Sequence, residues 1–213
     1  GVAVFQSAIV QTNNQLARIH GIWGLGQAYN QYNQKEAIKT IAGLLTDKDE
    51  EIITQSIKVL GDQKITSSAS TIQSLLLHNN PRIRFYACQA MGRMKHAVAQ
   101  ADLLKVLEQN ADVDLYIRHA AILALSRIGD STGLASLANN PNKSIRIAAV
   151  VALRKMKNAA VSAFLQDADE YIVTEAARAI NDDESIPAAL PALAGLINKS
   201  TSNHEPLMRR VIN

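Results

Sequence analysis

Cysteine, aromatic residues and long apolar runs are scarce in this chain of 213 residues. The single cysteine, Cys88, excludes an intramolecular disulfide framework and a cysteine-rich metal cluster. No apolar run reaches the ~18 residues that a membrane-spanning helix needs, so we expect no membrane insertion. Ten glycines and five prolines supply few of the turn signals of an all-β fold. Because aromatic residues make up only 4% of the chain, the core must consist mainly of Ala, Ile, Leu and Val, which favours helices.

The two ends of the sequence suggest a fragment of a longer chain. It begins at Gly1 without an initiator methionine or a signal-peptide pattern. At the other end a helical pattern stops after about two turns, without a stop signal. We therefore expect a larger parent, and poor coverage of Leu207, Val211 and Ile212.

An internal repeat is the strongest signal in the sequence. One gapless segment recurs seven times with a period of about 32 residues. The copies are residues 14–26, 49–61, 80–92, 114–126, 142–154, 169–181 and, cut short, 204–213. Each starts with a polar residue, which is followed by an apolar residue, two small residues and a Leu-like residue before a frequent glycine.

The spacing inside each copy is that of an amphipathic helix. The first residue is Asn or Asp in six copies, the side chains that best accept hydrogen bonds from free N–H groups at a helix start. These predicted caps are Asn14, Asp49, Asn80, Asp114, Asn142 and Asp169. Apolar and small residues three, seven and ten positions later share one helical face.

A second amphipathic segment lies between successive copies. Examples are residues 35–46, 67–78, 97–108 and 187–198. Two antiparallel helices per repeat predict an all-α, right-handed α-solenoid of about six to seven helix pairs. We expect residues 1–213 to form one such domain.

The repeated segment resembles the HEAT family, in its short, phycobilisome-lyase HEAT-like form. The best matches are residues 114–125 and 142–153, whereas Ile53, Val173 and Met208 replace the arginine of the family pattern. Two stretches, residues 17–27 and 205–213, are also similar to the HEAT segment of large secreted bacterial proteins with a sorbosone-dehydrogenase-like propeller and a c-type cytochrome domain. That resemblance implies a periplasmic or secreted location, which is otherwise unknown. Cys88 stands alone, so no haem attachment motif is present.

Catalytic and metal-binding motifs are absent from the sequence. Gly21, Gly24 and Gly26 do not follow the dinucleotide-binding spacing and are interpreted as helix-packing positions. The five histidines, His20, His78, His96, His119 and His204, never pair at ligand spacing. The acidic cluster 182–184 follows a helix end and is typical of a solvated loop. We predict no enzyme, no metal and no cofactor.

Four arginines recur at one position of the repeat: Arg18, Arg84, Arg118 and Arg146. They could form an anion-binding ladder, but we favour a structural role, since in HEAT-like repeats this arginine usually bonds to acceptors of the adjacent repeat. Cys88 is expected to be a small buried apolar residue.

The charge is unevenly distributed. Residues 81–157 contain twelve basic and five acidic side chains, and residues 158–213 contain four and eight. A basic centre can bind nucleic acid through phosphate contacts. This excess is modest, so nucleic acid is an unlikely partner and a nucleic-acid-binding or DNA-glycosylase-like HEAT protein is our second hypothesis.

The outward side of each second helix is the predicted binding surface. If the small residues face the first helix, then repeat positions three, seven, ten and fourteen line the concave face. Aromatic and arginine residues, which are enriched at protein interfaces, gather there. The candidate binding residues are His20, Trp23, Gln27, Tyr86, Gln89, Arg93, Tyr116, Arg127, Lys155 and Arg178. The alternative is a scatter of ordinary surface residues.

The leading functional hypothesis is a non-enzymatic scaffold or interaction module. Its partner would be a protein, or a neighbouring domain of the parent chain, bound in the concave face. The mixture of aromatic and basic side chains suits an acidic, partly apolar protein segment.

Overall fold

A computed structural model describes residues 1–182, 184–197 and 205–212. Within these ranges the regular structure is helical, with one isolated β-bridge between Asn181 and Ser185. The helices pack into two compact units, Gly1–Val106 and Leu107–Asn213. None of the described helices is long and apolar enough to cross a membrane. The single uninterrupted domain remains a prediction.

The first unit contains α1 (Val2–Ile9), α2 (Gln15–Tyr32), α3 (Lys35–Gly43), α4 (Glu50–Asp62), α5 (Ala69–Ser74) and α6 (Pro81–Met94). Helix α7 (Gln100–Asn110) crosses the boundary of the units. The second unit contains α8 (Leu115–Ile128), α9 (Ser131–Ser136), α10 (Lys143–Lys155), α11 (Glu170–Ile180), α12 (Leu190–Ala194) and α13 (Glu205–Ile212). Helices α2, α4, α6, α8, α10, α11 and α13 coincide with the seven repeated segments and are called the second helices below.

All six predicted helix caps are confirmed. Each side chain accepts a hydrogen bond from a backbone N–H two or three residues later. Asp114, for example, accepts from Tyr116 at 2.9 Å and from Ile117 at 3.1 Å. These bonds satisfy N–H groups that an α-helix leaves unpaired at its start. The seventh position, His204, lies outside the described residues.

The first helices differ from the prediction of a regular pair in every repeat. Several are short and continue into, or start from, 3-10 turns: Leu44–Thr46, Thr66–Ser68, Ala97–Ala99, Leu137–Asn139 and Pro187–Ala189. Between α10 and α11 the first helix is a 3-10 segment throughout, Ala159–Gln166. Loops of few residues join these segments to strongly capped second helices, so the tighter 3-10 geometry completes the connection.

Glycines in the second helices allow close packing, as the sequence analysis predicted. A Cβ atom on Gly24 would lie 2.3 Å from the ring of Phe5 in α1, and one on Gly61 would lie 2.8 Å from the Cβ of Ala90 in α6. Gly61 thus sets how closely α4 approaches α6. The helix-packing interpretation of these glycines is therefore confirmed.

The core consists mainly of Ala, Ile, Leu and Val, with Phe164 the largest fully buried side chain. Cys88 is fully buried, and burial raises the pKa of its thiol to about 12, so it is the inert apolar residue expected.

The apolar residues of the last helix were expected to be poorly covered, and this is wrong for Leu207. Leu207 is buried, because α13 packs on α11 and α12. Ile212 is exposed as predicted.

Candidate functional site

The candidate surface is formed by the outward residues of the second helices, which we call the second-helix stripe. It comprises residues 16, 20, 23 and 27 of α2 and the equivalent positions of α4 and α6 in the first unit, and of α8, α10 and α11 in the second. Within each unit the second helices pack side by side, α2 on α4 on α6, and α8 on α10 on α11. Each unit therefore carries its own part of the stripe.

In the first unit the stripe is joined by side-chain hydrogen bonds across three helices. The Trp23 indole N–H donates to Gln55 Oε1 at 2.9 Å. Gln55 Nε2 in turn donates to Glu51, which also pairs with Arg82 at 3.0 Å. Trp23 remains 44% exposed, although its N–H is bonded. The ring is thus held in place while nearly half of the residue's surface stays accessible.

A second set of contacts joins the C-terminal ends of α4 and α6. Asp62 pairs with Lys58 at 2.8 Å and with Arg93 at 3.3 Å. Arg93 also donates to Gln89 at 2.9 Å. Candidate residues Arg93 and Gln89 are therefore brought together, and their charges are balanced locally.

The remaining first-unit candidates surround the indole and the centre of α6. His20 contacts Trp23 edge to face, with ring centroids 5.3 Å apart. Gln27 is exposed one turn further along α2. Tyr86 is half-buried and packs edge to face on Phe85 at 5.1 Å. Aromatic rings fixed in this way lose little conformational freedom on binding.

In the second unit the stripe is more open. Tyr116 is 78% exposed, and Tyr171 is 52% exposed with Lys143 Nζ 5.3 Å from its ring centroid. Arg127 and Lys155 are exposed and form no ion pair within the part of the chain that the structure describes. This unit therefore has exposed aromatic rings at the N-terminal turns of α8 and α11 and unpaired cations at the C-terminal ends of α8 and α10.

Arg178, the last candidate, is bound to carboxylates. It contacts Glu175 at 3.1 Å and Asp182 at 3.4 Å. The hydrogen bond to Glu175 raises the pKa of the guanidinium above its usual value, and Asp182 adds to this effect. Arg178 shapes the charge of this end of the stripe and is less available to a partner than Arg127 or Lys155.

One part of the stripe prediction is wrong. Repeat position seven was expected at the surface, but Gln55, Ala120 and Ala148 are buried there. The side-by-side packing of the second helices covers this position, and small residues or a bonded amide fit the space. None of the ten candidate binding residues lies at these three places, and their role in binding remains a prediction.

The repeated arginines form structural bonds, but the predicted bond to the adjacent repeat is found for Arg18 and Arg146, whereas Arg84 and Arg118 bond to the loop before their own helix. Arg18 bonds to the Ile9 carbonyl at 2.7 Å and to Asp47, and Arg146 bonds to Asp167 at 2.7 Å and to the Asn140 carbonyl at 2.8 Å. Arg84 donates to the carbonyls of residues 78 and 79, and Arg118 pairs with Asp112 at 2.9 Å. They fix the loops in front of the second helices.

Most side chains of the basic centre are engaged in bonds within the protein. Most of the basic side chains in residues 81–157 bond to carboxylates or carbonyls of their own unit, as Lys105 does with Asp102 and Lys143 with Asp169. Nothing in this arrangement favours nucleic acid. The described residues also contain no group of three His, Cys, Asp or Glu side chains that could hold a metal ion.

The sequence analysis missed a cavity of about 560 Å³ in the second unit. Its lining includes Val151, Arg154, Lys155, Lys157 and Ile186. Only Lys155 was a candidate, since Arg154 and Lys157 lie off the stripe positions. The sequence signal that could have found this cavity is the cluster R-K-x-K at the end of α10.

The acidic cluster 182–184 was expected to be a solvated loop, but two of its carboxylates form ion pairs. Asp182 pairs with Arg210, and Glu184 pairs with Lys157. Residue 183 lies outside the described residues.

Comparisons with known proteins agree with this architecture. Residues 68–154 match the family model described as HEAT repeats. The fold is similar to the complex of CpcE and CpcF of phycocyanin lyase from Nostoc sp. PCC7120 (TM-score 0.59, 16% identity, covering 99% of this chain and 92% of that one). It is also similar to an archaeal HEAT-like repeats protein from Thermococcus onnurineus NA1 (TM-score 0.58, 15% identity, covering 99% of this chain and 94% of that one).

A third similar structure is a designed armadillo repeat protein in complex with the peptide (KR)4 (TM-score 0.54, 17% identity, 99% of this chain and 96% of that one). No curated protein matches the sequence. These likenesses confirm the all-α solenoid class of the fold. None of them supports a parent with a propeller and a cytochrome domain.

Proposed function

We propose that this protein is a non-enzymatic interaction module that binds a protein segment on the second-helix stripe. Repeat folds of this class typically serve as scaffolds for partners. The observation that carries the proposal is Trp23: its indole is fixed by Gln55 yet nearly half exposed. Folding alone gives no reason to leave a tryptophan at the surface, whereas tryptophan is the residue type most enriched in binding hot spots.

The second unit supports the same proposal independently. Tyr116 and Tyr171 are exposed at the N-terminal turns of α8 and α11, and the exposed cations Arg127 and Lys155 lie on the same stripe at the C-terminal ends of α8 and α10. Tyrosine and arginine supply contact area and directed hydrogen bonds at interfaces. Two of the similar structures are themselves complexes, one with a second protein and one with a peptide. A partner protein, or a neighbouring domain of a longer parent, is the class of ligand that fits.

Affinity capture from the source organism tests this proposal. The bait variants are wild type, Trp23→Ala, Tyr116→Ala and, as a control, Lys39→Ala on the first helix α3, where the side chain is 76% exposed. We expect each aromatic variant to weaken capture by about 2 kcal/mol or more, as hot-spot residues do, and Lys39→Ala to bind like wild type. Equal loss in all three variants would contradict the assignment to the stripe.

A mobility shift with duplex DNA at two salt concentrations tests the nucleic-acid alternative. Phosphate contacts would give binding that falls steeply with salt. We expect no shift at physiological salt, and a salt-dependent shift abolished by Arg127→Ala and Lys155→Ala would contradict the protein-binding proposal.

A further inference from the structure

The cavity of about 560 Å³ lies beside the C-terminal turns of α10 and α11. Its apolar part is formed by Val151, Ala179 and Ile186, of which Ala179 and Ile186 are buried. Its lining also includes three cations within four consecutive residues, Arg154, Lys155 and Lys157, which we call the basic rim. The cavity therefore has an apolar part, called the apolar floor below, that can contact an apolar group, and cations that can bind an anionic group.

The backbone around the cavity is held by specific bonds. The N–H of Ile186 donates to the Ile180 carbonyl at 2.8 Å, and Asn181 and Ser185 form a β-bridge. On the opposite side Lys157 adopts a left-handed conformation with φ of 51°, and Asn158 caps the next segment. These bonds hold the backbone on both sides of the cavity.

The cations are only partly neutralised. Lys157 pairs with Glu184 at 2.6 Å, but both side chains are more than 60% exposed, so water screens this pair. Arg154 reaches Asp182 at 3.7 Å, and that carboxylate is shared with Arg178 and Arg210. Lys155 pairs with no carboxylate among the described residues. The described lining keeps a positive surplus.

We propose that this cavity binds a carboxylate side chain and an adjacent apolar side chain of an acidic protein segment. The inference rests on the proposed function, since Val151 and Lys155 belong to the second-helix stripe. The carboxylate meets the basic rim of Arg154, Lys155 and Lys157, and the apolar neighbour contacts Val151 and Ile186. A nucleic acid would need a series of free cations and has no use for the apolar floor, so it fits less well.

The test is fluorescence anisotropy with a labelled peptide, Gly-Ser-Glu-Leu-Asp-Glu-Ser, and its amide counterpart, Gly-Ser-Gln-Leu-Asn-Gln-Ser. The protein variants are Lys155→Ala, Lys157→Asn and their combination, with Lys39→Ala as control. Asparagine at residue 157 tolerates the left-handed backbone, so charge is removed without backbone strain. Thermal melts of all variants verify that they fold.

We expect the acidic peptide to bind wild type and to bind the double variant at least about tenfold more weakly, with rising salt weakening binding. Lys39→Ala should bind like wild type, and the amide peptide should bind weakly. Equal binding of both peptides, an unchanged affinity of the double variant, or binding of an oligonucleotide but not of the peptide overturns the inference.

The outcome separates this inference from the function on which it rests. If partner capture depends on Trp23 while the acidic peptide fails to bind the cavity, the inference is wrong and the stripe remains the binding surface. If capture is insensitive to Trp23 and Tyr116, but the peptide binds in a Lys155-dependent manner, the cavity is confirmed and the stripe proposal fails.

Discussion

Asp47 and Asp167 each stand two residues before a helix cap and serve two neighbours at once. Asp47 accepts from the N–H of Asp49 at 2.9 Å and from Arg18, and Asp167 accepts from the N–H of Asp169 at 2.8 Å and from Arg146. One carboxylate thus shapes the turn before a second helix and links it to an arginine of the preceding repeat. In these two places the arginine of one repeat and the cap of the next are linked through one carboxylate.

The pair of Arg18 and Asp47 makes the free energy of unfolding depend on pH. The hydrogen bond from Arg18 is the main cause that lowers the pKa of the Asp47 carboxyl below its usual value, and the Asp49 N–H adds to it. A lowered pKa in the folded state stabilises the protein above the unfolded pKa of about 3.9, and this stability is lost as the pH falls through the folded pKa. We expect Asp47→Asn to be less stable at neutral pH and to lose less stability between pH 5 and pH 2 than wild type. Urea unfolding at a series of pH values measures this, with Glu36→Gln on α3 as an exposed control.

Asp114 tests the cap interpretation directly. Asp114→Ala removes the side-chain oxygen that accepts from the backbone N–H groups of Tyr116 and Ile117 and should cost about 1 kcal/mol of unfolding free energy. Asp114→Asn keeps an acceptor oxygen and should be nearly silent. Chemical denaturation compares the two, and equal damage would mean that the carboxylate has a further role.

Gly61 tests the packing interpretation. A methyl group there would meet Ala90 at 2.8 Å, so Gly61→Ala should push α4 from α6 and cost about 1–3 kcal/mol despite the higher helix propensity of alanine. Gly43→Ala is the matched control, since nothing lies within 4 Å of its Cβ position. The control should be neutral or stabilise by up to about 1 kcal/mol in thermal or urea unfolding. A stabilising Gly61→Ala would contradict the close approach.

At the scale of the helix, the sequence is informative where side chains contact their own backbone. Asn or Asp caps and the spacing of small residues predict the second helices closely, because both signals are local. The first segments depend on the neighbouring repeats that cover them, so their shortening to 3-10 turns at Ala159–Gln166 has no local signature. The burial of Ala120 and Ala148 was missed for the same reason.

The 3-10 segment nevertheless contributes a central core residue. Phe164 is fully buried, and the segment that contains it packs on α9, α10 and α11. Phe164→Ala should cost about 3–5 kcal/mol, as for other buried aromatic residues. Gln166→Ala, an exposed change in the same segment, should cost little. Calorimetric unfolding of the two variants checks this, and a mild Phe164→Ala would show that the segment is loosely packed.

At the scale of the whole molecule, the fold class could be predicted from the seven-fold repeat, whereas the binding surface could be predicted only in part. Periodicity places Trp23 and Tyr116 on the outward side of the second helices, and the structure leaves both exposed there. The periodicity of the sequence cannot show which cations remain without an ion-pair partner in the folded protein. Arg93 pairs with Asp62, which is distant in sequence, and Arg178 pairs with Glu175, which is near. Arg127 and Lys155 form no ion pair among the described residues.

Site-specific photo-crosslinking tests the central claim most directly. A photoreactive amino acid is placed at Gln27 or Arg127 on the second-helix stripe, or at Lys39 or Thr71 on first helices, all exposed positions. The labelled proteins are then irradiated in extract of the source organism. The account predicts the same cross-linked partner from the stripe positions and none from the first helices. A partner cross-linked from Lys39 or Thr71, and not from Gln27 or Arg127, would contradict it.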